Sequence, residues 1–250
     1  IASLWKELHS DAYGTSALIA EQVNHRHKNF SDALSRPHIE GQRYLYGAYK
    51  LHKTPPAFRW IAGNHQQDIG GKKAPACSLS NVEAALGGVL RCVMNTLLEK
   101  DIRVTRPQGI KRYWIVTSID QVAKHLKTNS NPLAKEKVWT RDFTTMYTQL
   151  PQAALYNGVC RAIDEAIDYH TKKSAKLSDQ RFFDISYNRD GKASAVHSNS
   201  GCDNDEIKSL LKVAISDVYL QQSRAGPLRR QEKGTPMGGL ASSEMANLYC

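Results

Sequence analysis

The chain is poor in the cysteine arrangements that hold many small proteins together. Its five cysteines are far apart and include no CxxC pair: Cys77, Cys92, Cys160, Cys202 and Cys250. An odd number of widely spaced cysteines argues against a disulfide framework or a zinc site, and it favours a reducing compartment. We therefore expect an intracellular protein. This composition does not distinguish the nucleus from an organelle such as the mitochondrion.

The sequence also lacks a long hydrophobic run. No uninterrupted apolar stretch approaches the roughly 20 residues that a membrane-spanning helix needs, so we expect no membrane partner. Residues 1–8 have the pattern of a helix rather than that of a signal peptide. Because the first residue is Ile rather than Met, we expect the N-terminus to be missing or processed.

Acidic residues are scarce relative to basic ones. The chain has 24 Asp and Glu against 34 Lys and Arg, which gives a formal net charge of +10. A surplus of this size favours a polyanionic partner, nucleic acid above all, although a basic surface kept for solubility also explains it. Aromatic residues make up only 8% of the chain, so the prediction rests more on charge than on stacking.

Hydrophobic periodicity predicts one continuous α+β unit without an internal repeat. Helical patterns cover residues 1 to about 36, 82–98, 118–126, 152–167 and 207–219, and hairpin patterns cover 43–63 and 182–197. A further strand is predicted over 113–116. In the second helix, Ala84, Ala85, Gly87 and Gly88 make one face small, which favours close approach by another segment.

One candidate site lies at the end of a predicted strand within residues 138–151. An apolar and aromatic run ends at Asp142, Tyr147 follows five positions later, and Pro151 opens a helix. A carboxylate at a strand end is well placed to hold a metal ion. The alternative is that Asp142 only caps the strand and that Tyr147 belongs to the core.

A second candidate site is the glycine-rich turn within residues 228–250. A basic strand runs into this turn, which in turn opens a helix. Glycines let the backbone approach a ligand closely, and a helix N-terminus favours an anion. The phosphate-loop pattern is not met, because Lys233 precedes the glycines and no GK[ST] follows.

The hairpin over residues 43–63 offers cations near its Pro-Pro turn. Lys50, Lys53 and Arg59 bracket the turn, and cations at a hairpin tip can reach a phosphate while the strands stay anchored. Lys72 and Lys73, in the following polar stretch, are candidates for contact with a phosphate backbone. The alternative for both groups is a solvated basic surface.

Taken together, the three stretches resemble a reverse transcriptase, most closely the Penelope-like retroelement enzymes and their telomerase relatives. Residues 142–151 resemble motif A of that family, residues 231–249 resemble motif B, and residues 46–61 resemble its fingers motifs. The resemblance covers about residues 43–250. In the fingers, Ala48-Tyr49 and Trp60 stand where the family usually has Leu-Pro and Pro.

The resemblance implies the α+β architecture of a right-hand polymerase, with fingers, a partial palm, and an antiparallel palm sheet packed on helices. It divides the chain into an N-terminal helical extension (1–42), fingers (43–136) and a partial palm (137–250). A hairpin and helix at about 181–221 form an insertion in the palm.

The resemblance also implies roles for individual residues. Asp142 and the carbonyl of Phe143 would hold two Mg²⁺ ions, and Tyr147 would lie under the sugar and select deoxynucleotides. Arg59, helped by Lys53 and Lys50, would clamp the triphosphate. The nucleotide and template side would be lined by Gln231, Gly234, Pro236, Met237 and Gly238. Nucleic-acid phosphates would contact Lys72, Lys73, Arg229, Arg230 and Lys233.

The sequence departs from the family in one important respect. Motif C, usually Tyr-x-Asp-Asp, does not occur before Cys250, and neither does a thumb. Since one carboxylate cannot hold two Mg²⁺ ions productively, we expect these 250 residues alone to be inactive unless a motif C segment is supplied. The expected partners are an RNA template, a DNA primer, a dNTP and a second chain that carries motif C and the thumb.

Two other functions remain open at this point. One is a non-catalytic, reverse-transcriptase-derived scaffold that binds structural RNA in a ribonucleoprotein such as a ribosome. The other is a generic basic nucleic-acid-binding domain, which explains the charge but not the three ordered motifs.

Overall fold

The computed structural model describes residues 12–34, 40–51, 57–63, 65–67, 73–75, 77–116, 118–128, 146–173, 182–187, 193–198, 201–221 and 227–250. Asp142, Phe143, Lys53 and Lys72 lie outside these ranges, as do residues 1–11 of the predicted N-terminal helix.

Strands and helices alternate irregularly along the chain. In order, the strands are β1 (Tyr13–Thr15), β2 (Arg43–Lys50), β3 (Ala57–Gly63), β4 (His65–Gln67), β5 (Lys73–Pro75), β6 (Phe182–Tyr187), β7 (Ala193–Ser198), β8 (Tyr219–Gln221) and β9 (Leu228–Gln231). The helices are α1 (Ala20–Ala33), α2 (Ser80–Lys100), α3 (Ile119–Thr128), α4 (Met146–Gln149), α5 (Gln152–Lys173), α6 (Asn204–Ser216) and α7 (Ser242–Tyr249). A π turn (Asp101–Thr105) and a 3-10 turn (Arg106–Gln108) extend α2. The predicted α+β class is confirmed.

A five-stranded sheet, in the order β1-β9-β8-β2-β3, carries the predicted hairpin at one edge. β2 and β3 pair antiparallel from Tyr44↔Gly63 to Lys50↔Ala57, which confirms the hairpin predicted over 43–63. The sheet is not wholly antiparallel as expected, because β2 and β8 run parallel. A parallel pair needs a long crossover connection, and the chain between these strands supplies one, since it contains α2, α5 and α6.

The main core lies between four helices and one strand. Fully buried side chains come from α2 (Leu90), α5 (Val159, Ile163), α6 (Ile207) and α7 (Met245), and Phe183 of β6 joins them. These are the apolar stripes predicted from the helical periodicity. The small face of α2 is used as predicted, because a Cβ on Gly87 would stand only 3.0 Å from the carbonyl oxygen of Leu240.

The structure differs from the predictions at three segments. In each of them, the difference depends on whether another strand is available for pairing. Tyr13–Thr15 forms β1 rather than helix, because it can pair with β9 at the sheet edge. Tyr219 begins β8 rather than ending α6, because it is buried in the sheet opposite Arg230. The strand predicted over 113–116 is wrong: no described strand pairs with it, and Trp114 is 69% exposed.

The other elements predicted within the described ranges are present, whereas the strand predicted to end at Asp142 lies outside them. β6 and β7 form the second hairpin, and α6 begins with the reciprocal hydrogen bonds of a capping box between Asp203 and Glu206. Within the described ranges, no helix combines the length and the apolar character that crossing a membrane requires.

Acid is expected to destabilise the fold through His27 of α1. This side chain is buried against Ser78, with 2.6 Å between its Nδ1 and the serine Oγ. Burial lowers the pKa of His27 from 6.5 to about 4. Because the unfolded chain takes up this proton at higher pH than the folded chain, His27 makes the free energy of unfolding fall between about pH 6.5 and 4.

The measurement is the denaturation midpoint as a function of pH. His27→Asn is expected to flatten the decline between about pH 6.5 and 4, since Asn keeps a polar atom near Ser78 but does not titrate. His25→Asn, at an exposed position on the same helix, is the matched control. Parallel pH profiles for wild type and His27→Asn would contradict the prediction.

Candidate functional site

The glycine-rich turn that joins β9 to α7 is partly buried and is held by hydrogen bonds of its own. Gly234, Thr235 and Pro236 are buried, and the Thr235 and Ser242 hydroxyl oxygens lie 3.0 Å apart. The Ser242 hydroxyl also donates to the carbonyl oxygen of Pro236 at 2.7 Å. We refer to residues 231–241 as the glycine turn. These hydrogen bonds within the turn help to fix its backbone, in addition to its contacts with other elements.

The glycine turn is bound to the segment that contains Tyr147. The amide of Thr235 donates to the carbonyl oxygen of Tyr147 at 2.8 Å, and the amide of Gly234 donates to the carbonyl oxygen of Leu150 at 2.7 Å. Gly234 has a φ of 72°, and a Cβ there would stand 2.0 Å from the Tyr147 carbonyl oxygen. Only glycine fits at this position.

Gln152 strengthens the same junction. It is the first residue of α5, directly after Pro151, and its side-chain amide approaches three backbone carbonyls. Its Nε2 lies 3.0 Å from the carbonyl oxygen of Ile215, 3.1 Å from that of Gln231 and 3.3 Å from that of Gly234. Sequence analysis missed Gln152, because a polar residue that follows a helix-initiating proline is common and carries no specific signal.

The other side of the glycine turn is docked on the β2–β3 hairpin. The amide of Ala62 in β3 donates to the carbonyl oxygen of Met237 at 2.8 Å. Gly238 has a φ of 106°, and a Cβ there would lie 2.9 Å from both the Ala62 carbonyl oxygen and Ile61 Cγ2. Because β3 is an edge strand of the sheet, it has backbone groups to offer to the turn.

The cations of the hairpin lie on the face that carries Ile61. Arg59 is two residues from Ile61 in β3 and pairs with Ala48, and Lys50 is two residues further along β2 from Ala48. Side chains two residues apart on a strand share a face, so Arg59 and Lys50 stand on the side from which Ile61 contacts the turn. Arg59 is exposed, and Lys50 is half-buried.

A buried ion pair joins the hairpin base to the end of the glycine turn. Arg43 in β2 and Glu83 in α2 are both fully buried, and Arg43 Nη2 donates to Glu83 Oε1. The second carboxylate oxygen of Glu83 accepts from the amide of Leu240 at 2.9 Å. The sequence pattern places Glu83 in the cap of α2, whereas the structure uses it to connect three elements.

The predicted site residues therefore fall into two groups. The structure brings together Tyr147, Gly234, Pro236, Met237 and Gly238, with Arg59 and Lys50 on the adjoining hairpin face.

In the second group, Gln231 and Arg230 have structural partners of their own. Gln231 is buried, and its side-chain amide donates to the carbonyl oxygen of Lys233 within the turn. Arg230 donates from Nε to the carbonyl oxygen of Ser216, at the end of α6, at 2.8 Å. Arg229 and Lys233 are half-buried, and Lys73 begins β5.

The described residues do not form a magnesium site. Among them, no group of three or more His, Cys, Asp or Glu side chains is arranged to hold a metal ion. The ligands that the resemblance assigns, Asp142 and the carbonyl of Phe143, lie outside the described ranges.

Comparison with known proteins gives two structural likenesses. No protein-family model matches the sequence, and no curated protein matches it either. Two solved structures of apo telomerase from Candida tropicalis match at a TM-score of 0.49. The form truncated from the C-terminal domain is 15% identical, and the match covers 99% of this chain and 43% of that chain. The other is 14% identical, with 99% and 38% covered. The chain thus spans less than half the length of either telomerase chain.

Proposed function

We propose that the chain is the nucleotide-positioning part of an RNA-directed DNA polymerase. One observation carries the proposal: the glycine turn bonds to the Tyr147 segment through Thr235 and to the hairpin strand through Met237. These three stretches are far apart in sequence, and each resembles a motif of the same polymerase site. The substrate class is a deoxynucleoside triphosphate paired with an RNA template.

Tyr147 acts on the sugar of the incoming nucleotide. Its carbonyl oxygen is held by Thr235, so the position of its backbone is fixed relative to the glycine turn. A tyrosine ring beside the sugar would exclude a ribose 2′-hydroxyl by its bulk. Gly234 and Gly238 let the turn backbone pack directly against Tyr147 and the hairpin, which holds the turn where it would line the base and template side.

Arg59 and Lys50 act on the triphosphate. They lie on one face of a hairpin that is anchored to the glycine turn through Ala62, so their charges are held near one end of the site. A guanidinium binds phosphate oxygens with two parallel hydrogen bonds, which both positions the group and neutralises its charge. Lys53 extends the same basic sequence toward the hairpin tip.

In this proposal, Asp142 and the carbonyl of Phe143 would hold magnesium together with further carboxylates from a motif C segment. Bound Mg²⁺ would activate the primer hydroxyl and neutralise charge on the triphosphate. The residues described above bind and orient the nucleotide. The excess of basic residues would hold the template–primer duplex by its phosphates.

Nucleotide binding by the 250-residue chain tests the proposal. Arg59→Ala is expected to weaken dTTP binding by about 10- to 100-fold, because it removes charge-assisted hydrogen bonds to phosphate. Tyr147→Ala is expected to leave dTTP affinity nearly unchanged but to reduce discrimination between dTTP and 5-methyl-UTP, which differs from it only by the 2′-hydroxyl, by about tenfold. Both are measured by titration calorimetry.

The control is Arg103→Ala, which removes an exposed cation that pairs with Glu99 just after the end of α2. It should leave both affinities unchanged. If the chain binds RNA tightly but Arg59→Ala weakens dTTP binding no more than the control does, the result would favour the non-catalytic RNA-binding scaffold over the polymerase.

A further inference from the structure

Three aromatic side chains form a continuous row on one face of the β2–β3 hairpin. Tyr49 in β2 pairs with Phe58 in β3. Two residues further from the hairpin tip, Gly47 pairs with Trp60. The ring centroids of Tyr49 and Phe58 are 4.9 Å apart, and those of Phe58 and Trp60 are 5.5 Å apart with only 18° between their planes. We call Tyr49, Phe58 and Trp60 the aromatic ladder.

Gly47 gives the ladder its shape. A Cβ on this residue would stand 2.7 Å from Phe58 Cδ1 and 3.0 Å from Trp60 Cζ3. The two rings therefore occupy the space above the glycine, where any other residue would push them apart. Trp60 also packs against the small core cluster that contains Leu45 and Leu220, so one end of the ladder is anchored in the protein.

The other end of the ladder is open to solvent. Tyr49 is 53% exposed and Phe58 is 49% exposed. Aromatic rings gain most of their binding energy from burial, and a connected exposed group of them marks an interaction surface. The hairpin alone would be stabilised by the cross-strand pairs, but that does not require the outer ring faces to stay accessible.

The charge around the ladder selects the kind of partner. Residues 43–63 contain four Lys and Arg and no Asp or Glu. Arg43 is buried in its ion pair with Glu83, and Arg59 and Lys50 lie on the opposite face, so the ladder itself is uncharged on a hairpin that carries cations. Flat aromatic faces on a basic hairpin without acidic residues suit unpaired bases joined by phosphates, because a base can stack on any aromatic ring.

We propose that the aromatic ladder stacks the unpaired bases of a single-stranded nucleic acid. This inference deepens the proposed function and rests on it only in naming that strand as the template ahead of the nucleotide site. Tyr49 and Trp60 stand where the resembled family usually has proline, so the ladder is a feature of this chain and does not come from the resemblance.

The test measures binding of a labelled oligouridylate about 12 nucleotides long to the full chain, without metal or nucleotide. Phe58→Leu is expected to weaken binding about tenfold, because leucine keeps an apolar side chain in the strand but has no ring face. Phe58→Tyr should restore binding. Tyr46→Leu is the matched control, since Tyr46 is also 51% exposed but lies on the opposite face.

A second oligonucleotide, with abasic residues at its centre, separates stacking from charge. It should bind the wild-type chain about tenfold more weakly and should be insensitive to Phe58→Leu. Equal binding of both oligonucleotides, or equal losses in Phe58→Leu and Tyr46→Leu, would overturn the proposal. Preference for an acidic aromatic peptide over the oligouridylate would overturn it as well. Because no dNTP is present, these outcomes are independent of the dTTP titrations that test the proposed function.

Discussion

Replacement of Gly234 by alanine is expected to lower the free energy of unfolding by about 3–4 kcal/mol. The positive φ of 72° alone disfavours alanine, and the new Cβ would lie 2.0 Å from the carbonyl oxygen of Tyr147. Relief of that overlap requires the turn to separate from the Tyr147 segment. The hydrogen bonds from Gly234 and Thr235 to Leu150 and Tyr147 would then be lost.

Gly109→Ala is a matched control for this change. Gly109 has a nearly identical φ of 77°, but a Cβ there meets no atom within 4 Å. It therefore reports the backbone cost alone, which we expect to be about 1 kcal/mol. Chemical denaturation of both variants gives the comparison. Similar losses in the two variants would mean that the close contact between the glycine turn and Tyr147 does not exist in solution.

The second large effect is expected from Arg43→Met, which should lower the free energy of unfolding by about 3–5 kcal/mol. The change leaves the Glu83 carboxylate fully buried without its cation, although Leu240 still donates to it. A buried charge that has lost its partner is far more costly than an exposed one. The turn and the hairpin base should both loosen, because Glu83 connects them.

The double variant Arg43→Met/Glu83→Gln identifies the cause. Glutamine removes the charge but keeps an acceptor for the Leu240 amide, so about 1–2 kcal/mol should return. Lys28→Met is the control, since its ion pair with Asp32 is about half exposed and should be worth less than about 1 kcal/mol. If Arg43→Met costs no more than Lys28→Met, the buried pair does not hold these elements together.

Local patterns in the sequence predict much of this fold because they depend on near neighbours. The hairpin over 43–63, the stripe of α5 and the strand–turn–helix over 228–249 are all present. The sequence also predicts the small face of α2, although not which segment packs there. That segment proves to be the end of the glycine turn at Leu240.

Interactions between distant residues account for what sequence analysis missed. The bond from Leu240 to Glu83 spans 157 positions, and the side-chain amide of Gln152 approaches backbone carbonyls at least 63 positions away. Neither Glu83 nor Gln152 lies in a local sequence pattern that indicates such a partner. Tyr13–Thr15 likewise becomes a strand only because β9, more than 200 residues later, provides an edge.

The site residues follow the same division between local pattern and distant contact. A tight turn at Gly234 and Gly238 could be predicted from the sequence, but the close approach that these glycines permit is to Tyr147 and the hairpin rather than to a ligand. Gln231 and Arg230 carry groups typical of nucleotide contact, yet the fold uses them within the turn and at the end of α6. Residue type alone does not distinguish these two uses.

Photo-crosslinking of the chain with two dTTP analogues tests the central claim most directly. One analogue carries an azide on the base, and the other carries it on the γ-phosphate. If the glycine turn and the hairpin form one nucleotide site, the base probe should label residues 231–241 and the phosphate probe should label residues 57–63. Unlabelled dTTP should suppress both signals. Labelling of unrelated segments, or labelling that excess dTTP does not reduce, would contradict the account.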